Sequence, residues 1–144
     1  MKLVIQRVSH ASVSVEDQEV AAIDGGLLVL AGFAEGDRRD DVEQMVEKLV
    51  HFRIFPDENG QMNRSLNEVN GDLLLVPNFT LCSDTDTGHR PGFGPAASPG
   101  RAEELYEDMI RFAQERAPGA VETGEFGAMM DVELTNDGPV TFVL

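Results

Sequence analysis

Pro77-Asn78-Phe79-Thr80-Leu81 closes the apolar run Leu73-Leu74-Leu75-Val76, and Gly88-His89-Arg90-Pro91-Gly92-Phe93 follows soon after. A strand end beside a long loop would expose backbone N–H groups and bring a hydroxyl and a guanidinium near them. That combination suits stabilisation of a developing oxyanion. The same residues also fit an ordinary strand in which Thr80 merely suits β geometry, and the stretch alone does not decide between the two. Gly138-Pro139, ahead of the last apolar run, is a second candidate. Such a pair is usually a turn, although X-Pro is the one bond at which a cis peptide is common.

Other chemistries find little support. His10, His51 and His89 show no His-x-x-x-His or His/Asp/Cys spacing, so no metal site is expected. His89 could touch a substrate from its loop, but solvation is the commoner role. Cys82 is the sole cysteine, and its neighbours Ser83, Asp84 and Asp86 would raise a thiol's pKa. It reads as a small strand residue. No Gly-x-Ser-x-Gly elbow, phosphate loop or Gly-x-Gly-x-x-Gly occurs, and no cofactor is expected.

The elements that must position these candidates are legible from periodicity. Leu3 to Val8, Ala11 to Val15, Glu19 to Ile23 and Leu27 to Phe33 read as antiparallel strands, with a turn at Asp24-Gly25-Gly26. Val42, Met45, Val46, Leu49 and Val50 recur at helical spacing, with Asp37 as the expected cap. Arg53-Ile54-Phe55 is a short strand, closed by the turn at 56–60. A strand begins at Asp72, and Pro77 marks its end, an edge or a bulge, because proline cannot donate to a ladder. A Gly/Pro-rich loop spans 83–98. Ser98-Pro99 opens a second helix, buried along Ala102, Leu105, Tyr106, Met109, Ile110 and Ala113, which ends at Pro118-Gly119. Val121–Thr123, Met129–Leu134 and Pro139–Leu144 return to strand, tying the C-terminus into the sheet. The expectation is one α+β domain over residues 1–144: an antiparallel, barrel-like sheet with two packed helices.

The chain has 144 residues, 42% hydrophobic and 26% charged, as in an ordinary soluble domain. No apolar run approaches the roughly 20 residues that cross a bilayer, and the N-terminus enters a strand without a signal-peptide pattern. A cytosolic protein with no membrane partner is expected. Twenty-six acidic residues against eleven basic ones leave a net charge of −15. Nucleic-acid binders usually carry a basic footprint, so composition favours a different ligand. The other reading is a small patch that touches only the end of an RNA, with acidic surface elsewhere.

Taken together, the segments resemble the bacterial-type D-aminoacyl-tRNA deacylase family over nearly the whole chain. The resemblance is carried by Ile5-Gln6-Arg7-Val8, Gly26-Leu27-Leu28-Val29-Leu30, Arg53-Ile54-Phe55 with Met62-Asn63, and Phe79-Thr80-Leu81. Arg90-Pro91 with Phe93, Ala97-Ser98-Pro99 and Asn136-Asp137-Gly138-Pro139-Val140-Thr141-Phe142 complete it. It implies hydrolysis of D-aminoacyl-tRNA, and of glycyl-tRNA, by a homodimer that binds no DNA. It implies that Gly138 and Pro139, joined in cis, enter the partner's site as a chirality filter. Phe79 and Thr80 would be catalytic through backbone N–H groups, with the attacking water helped by the 2′-hydroxyl of the terminal adenosine. Thr80 as a nucleophile is the other route, but no base for it is visible. Pro77, Asn78, Arg7 and Met129 would bind the substrate and the tRNA end. One departure stands out: the family usually has Ser-Gln where this chain has Pro77-Asn78. A related animal branch that edits L-alanyl-tRNA also carries Pro there, though its Gly-Pro segment differs. L-alanyl editing and a non-catalytic RNA-binding homologue are the alternatives.

Overall fold

A computed structural model describes residues 1–86 and 88–144. Thr87, inside the expected loop, lies outside the described residues. The elements in chain order are β1 (Lys2–Val15), β2 (Gln18–Ile23), β3 (Gly26–Gly32), α1 (Arg39–His51), β4 (Phe55–Pro56) and β5 (Met62–Arg64). They continue with α2 (Leu66–Val69), β6 (Asp72–Pro77), a 3₁₀ turn (Phe79–Cys82), α3 (Pro99–Arg116), β7 (Val121–Thr123) and β8 (Asp131–Val143).

The α+β class and the barrel-like sheet are as expected, and among the described residues three helices rather than two accompany it. The two strands expected over Leu3–Val15 are one long strand. Residues 2–8 of β1 pair with β3, residues 11–15 pair with β2, and its other edge carries β8. The sheet is mixed rather than wholly antiparallel, because β3–β6 and β6–β7 run parallel. Parallel neighbours need a crossover of a dozen or more residues. The connection containing α1 supplies the first crossover and that containing α3 the second.

Alternation explains how the sheet is covered. Leu27, Val29 and Ala31 of β3, with Leu73 and Leu75 of β6, face one core together with α1 and α3. Their neighbours Leu28, Leu74 and Val76 face a second cluster with Val8, Ala11 and Val13 of β1. Strands buried on both faces read as continuous apolar runs, as Leu27–Leu30 and Leu73–Val76 do. Each fully buried leucine contributes about 1.5–3 kcal/mol relative to an exposed one. The C-terminus is tied down as expected, with Leu3 and Leu144 exchanging N–H to carbonyl bonds of 2.9 and 3.0 Å.

Asp37 does not cap α1. Its carboxylate instead accepts the N-terminal ammonium at 2.6 Å and the Ala34 N–H at 2.7 Å. Arg38 occupies the cap position, and the Asp41 carboxylate reaches back to its N–H at 2.9 Å. Those bonds hold the Asp41 carboxyl below its ordinary range.

Candidate active site

The apolar strand β6 ends where the sequence suggests, and the reason is visible in its register. β7 stops level with Leu75. The N–H of Leu73 points to that side, donating to the Ala120 carbonyl. By the two-residue period, the nitrogen of Pro77 faces the same side beyond the end of β7, so its missing donor breaks no ladder bond. Asn78 still donates its N–H to the Ala31 carbonyl at 2.7 Å, and there the chain leaves the sheet. Residues 79–82 are a 3₁₀ turn, so Cys82 is not the strand residue that was expected. Its thiol is buried, and burial pushes its pKa up, as suits an inert packing group.

Asn78 organises the turn. Its side-chain oxygen accepts both the Thr80 N–H, at 3.2 Å, and the Thr80 hydroxyl, at 2.5 Å. The Phe79 N–H has no acceptor within the chain among the described residues. Phe79 is 59% exposed, its ring packed edge-on against Phe93 with centroids 5.1 Å apart. An apolar cavity of about 850 Å³ opens beside this pair. Leu28, Leu30, Val76 and Pro77 line it from the sheet, with Phe126 and Met130 from the segment before β8. Gln6 and Asn78 are the polar side chains among its described lining, and no ionisable side chain is among them.

Gly138 and Pro139 lie elsewhere. On β8, Asn136 pairs with Val8 and Thr141 with Gln6, so five positions of β8 span two of β1. Residues 137–140 therefore bulge out of the ladder. The Gly138–Pro139 bond is cis, and both residues are exposed. The bulge is braced from both faces of β1. On the core face, the almost buried Arg7 donates from Nε to the Asp137 carbonyl at 2.9 Å and from Nη1 to the Ile54 carbonyl at 2.6 Å. On the cavity face, Gln6 accepts from the Asn136 side-chain amide at 3.2 Å. Asn136 also closes the bulge on itself, accepting the Val140 N–H at 2.6 Å and donating to the Val140 carbonyl at 3.2 Å. Only glycine fits at 138, because a Cβ there would stand 2.5 Å from the Val140 nitrogen and 2.6 Å from its Cγ2.

The sequence candidates thus fall into two groups. Pro77, Asn78, Phe79 and Met129 share the cavity, with Met129 91% exposed on its rim and Thr80 exposed beside it. Arg7 does not line the cavity and instead braces the bulge of Gly138 and Pro139, which do not line it either. Arg90 and His89 are exposed and stand outside the lining. His10 and His51 meet Asp24 and Glu47 on the surface. No cluster able to hold a metal ion occurs among the described residues. Sequence reasoning missed the cavity wall. Its signal was the double-sided apolar run of β3, whose Leu28 and Leu30 lie on the face away from the core that packs against α1 and α3. It also missed the bracing by Gln6 and Asn136.

The family model described as D-Tyr-tRNA(Tyr) deacylase matches residues 4–144. A D-aminoacyl-tRNA deacylase of Xanthomonas oryzae pv. oryzae (strain MAFF 311018) is 50% identical over 144 residues, covering 100% of this chain and 99% of its own. One from Shewanella sp. (strain ANA-3) is 52% identical over 145 residues, with the same coverage. Among solved structures, the c-Myc DNA unwinding element binding protein superposes with a TM-score of 0.94 at 36% identity, covering 100% of this chain and 97% of that one. A probable eukaryotic D-amino acid tRNA deacylase superposes at 0.85 with 20% identity, covering 99% and 97%, and shares the fold.

Proposed function

The chain belongs to the D-Tyr-tRNA(Tyr) deacylase family, and from that premise we propose that it hydrolyses the ester bond of D-aminoacyl-tRNA, releasing the D-amino acid and the tRNA. The observation that carries the reading is a cavity whose described lining has no ionisable side chain, beside a backbone N–H with no acceptor among the described residues. Such a site suits an ester that is already activated and needs its oxyanion held more than it needs a strong base.

The ester carbonyl would lie at the Asn78–Thr80 turn. Water adds to its carbon, and negative charge gathers on its oxygen. The Phe79 N–H, and the Thr80 N–H now held by its 3.2 Å bond to Asn78, would receive that charge. The 3′-oxygen of the tRNA then leaves with a proton. The 2′-hydroxyl of the terminal adenosine lies next to the reacting ester and would assist the water. The apolar cavity, with Phe79 and Met129 at its edge, would take the end of the tRNA, with Pro77 and Asn78 in contact with it.

Selectivity would come from a second copy of the chain. Gly138 and Pro139 sit on an exposed, braced bulge that does not line their own cavity, which supports their insertion into a partner's site in a homodimer. Main-chain carbonyls there would take the α-ammonium and leave no room for an L side chain, so that D-aminoacyl and glycyl esters pass. The net charge of −15 favours contact with few phosphates, and it does not favour the DNA role carried in one neighbour's name. Pro77, standing where the family has Ser, supports a second reading, the editing of L-alanyl-tRNA.

Single-turnover deacylation of D-Tyr-tRNA, L-Tyr-tRNA, Gly-tRNA and L-Ala-tRNA by the folded protein tests these readings. Loss of the D-tyrosyl and glycyl esters with the L-tyrosyl ester intact is the expected result. Persistence of every ester overturns the enzyme reading. Preferential cleavage of L-Ala-tRNA replaces it with the second.

A further inference from the structure

We propose that Gln6 serves the site with both ends of its side-chain amide: its oxygen positions the Gly138–Pro139 bulge, and its nitrogen donates to a ring nitrogen of the base at the tRNA end. This inference rests on the deacylase reading and adds to it one residue with a stated partner at each end.

The orientation of the amide is dictated by its neighbours. The Val140 N–H can only donate, and it bonds to the Asn136 side-chain oxygen at 2.6 Å. The Asn136 amide must therefore turn its NH2 group the other way. There it meets the Gln6 side chain at 3.2 Å, the Thr141 hydroxyl at 3.1 Å and the Val140 carbonyl at 3.2 Å. A donor has to find an acceptor, so Gln6 presents its oxygen to Asn136 and turns its own NH2 group away from the bulge. That group has no acceptor within the chain among the described residues.

Gln6 is also part of the cavity wall, standing opposite Leu28 in the β1–β3 ladder. The oxygen of Asn78 is taken by Thr80 as that of Gln6 is taken by Asn136. Both amides in the described lining are thus left with hydrogens to offer. An apolar space with no charged side chain, whose polar groups are donors, suits a flat neutral ring that carries acceptor nitrogens. Position agrees with chemistry. Pro77 is level with Ala31 and Gln6 with Leu28, so three residues of β3, about 10 Å, separate Gln6 from the turn that would hold the ester. A nucleoside covers a comparable distance from its 3′-oxygen to the far edge of its base.

Two substitutions separate the ends of the amide. Gln6→Glu keeps an oxygen for Asn136 and loses the donor, whereas Gln6→Leu loses both. In single-turnover deacylation, Gln6→Glu should raise the half-saturating enzyme concentration for D-Tyr-tRNA by about threefold to tenfold, with D/L discrimination at saturation retained. Gln6→Leu should bind as weakly and also narrow discrimination between D-Tyr-tRNA and L-Tyr-tRNA by about tenfold. Substrates ending in 1-, 3- or 7-deazaadenosine identify the acceptor. One of them should weaken binding by the wild type as much as Gln6→Leu does, and should cost Gln6→Leu nothing further. The proposal is overturned if Gln6→Glu binds as the wild type does, if no deaza end matches the loss, or if Gln6→Leu keeps full discrimination. A wild type that cleaves none of the esters overturns it together with the deacylase reading, whereas those three results in an active background overturn it alone.

Discussion

The turn after β6 and the bulge on β8 both interrupt strands, but they are held in opposite ways. The turn depends on one side chain, Asn78, and leaves a hydroxyl and a backbone N–H exposed. The bulge is gripped from both faces of β1 by Arg7 and Gln6 and is laced to itself by Asn136. The difference matches the two tasks proposed for them. A group that meets changing charge has to offer free dipoles, which limits how many protein partners it can keep. A group that discriminates by shape has to resist displacement, because a loosely held wall would admit the wrong enantiomer.

The sharpest way to break this contrast is to disturb the bulge at its tightest point. Gly138→Ala places a methyl against Val140, and turnover of D-Tyr-tRNA should fall by about a hundredfold or more. The melting temperature should fall proportionately less, since the methyl displaces Val140 locally while residues 137–139 are exposed. Equal losses in both measurements would reduce the bulge to an ordinary turn. Removing the brace comes next. Arg7→Ala deprives the Asp137 and Ile54 carbonyls of their donors and should cost about 2 kcal/mol in denaturant unfolding. D/L discrimination should narrow along with it. Unchanged discrimination in a destabilised Arg7→Ala protein would show that the bulge keeps its shape without the brace.

A smaller effect should come from the support under the cavity. The buried Tyr106 hydroxyl donates to the Leu75 carbonyl at 2.9 Å and lies 3.1 Å from that of Gly124. Tyr106→Phe removes this donor, leaving the Leu75 carbonyl with the Gly124 N–H at 2.8 Å, and should lower stability by about 1–2 kcal/mol, measured by chemical denaturation, with discrimination intact. Burial raises the Tyr106 pKa well above the ordinary phenol range, so this contribution should not titrate below strongly alkaline pH.

The smallest effect is electrostatic. Asp57 lies in the β4–β5 turn, far along the chain from both regions. The N–H groups of Gln61 and Asn59 hold its carboxyl below the ordinary aspartate range. A depressed folded-state pKa stabilises the protein above the unfolded pKa and is lost as pH falls through the folded one. Asp57→Asn should therefore flatten the acid limb of the stability profile slightly and leave deacylation at neutral pH unaltered. A change in turnover would tie this turn to the site.

Much of the fold was legible because burial imposes a period. The alternation in β1 and β2, the helical spacing in α1 and α3, and the proline that ends β6 are all local consequences of chain geometry. What the pattern concealed was pairing. A continuous apolar run such as Leu73–Val76 states that both faces are buried but not which strands flank it, so the parallel neighbours of β6 went unseen. Asp37 misled for a related reason: an acidic residue before a helix can serve any nearby donor, and folding brought the N-terminal ammonium to it first. Thr80 and Gly138 were legible as candidates, whereas Arg7 acquired a definite task only in three dimensions.

By itself the sequence determined the class of the domain, the places where its strands must stop, the absence of His/Asp/Cys spacing suited to a metal, and, through its motifs, the family. These are statements about residue type and short-range spacing, which the backbone's two periods convert directly into faces and ends. The tertiary structure alone decided that Gln6 and Arg7, adjacent in sequence, brace the bulge from opposite faces of β1. It also decided that the double-sided apolar strands leave a cavity beside Phe79, and that Asn78 turns back onto Thr80. Those facts depend on register between segments as much as 130 positions apart, and no local rule constrains which strand a bulge will face. The turn at 78–81 was visible as a place where chemistry could occur. How its groups are arranged, with Asn78 bonded to the Thr80 N–H and hydroxyl, was decided by packing against the end of β3.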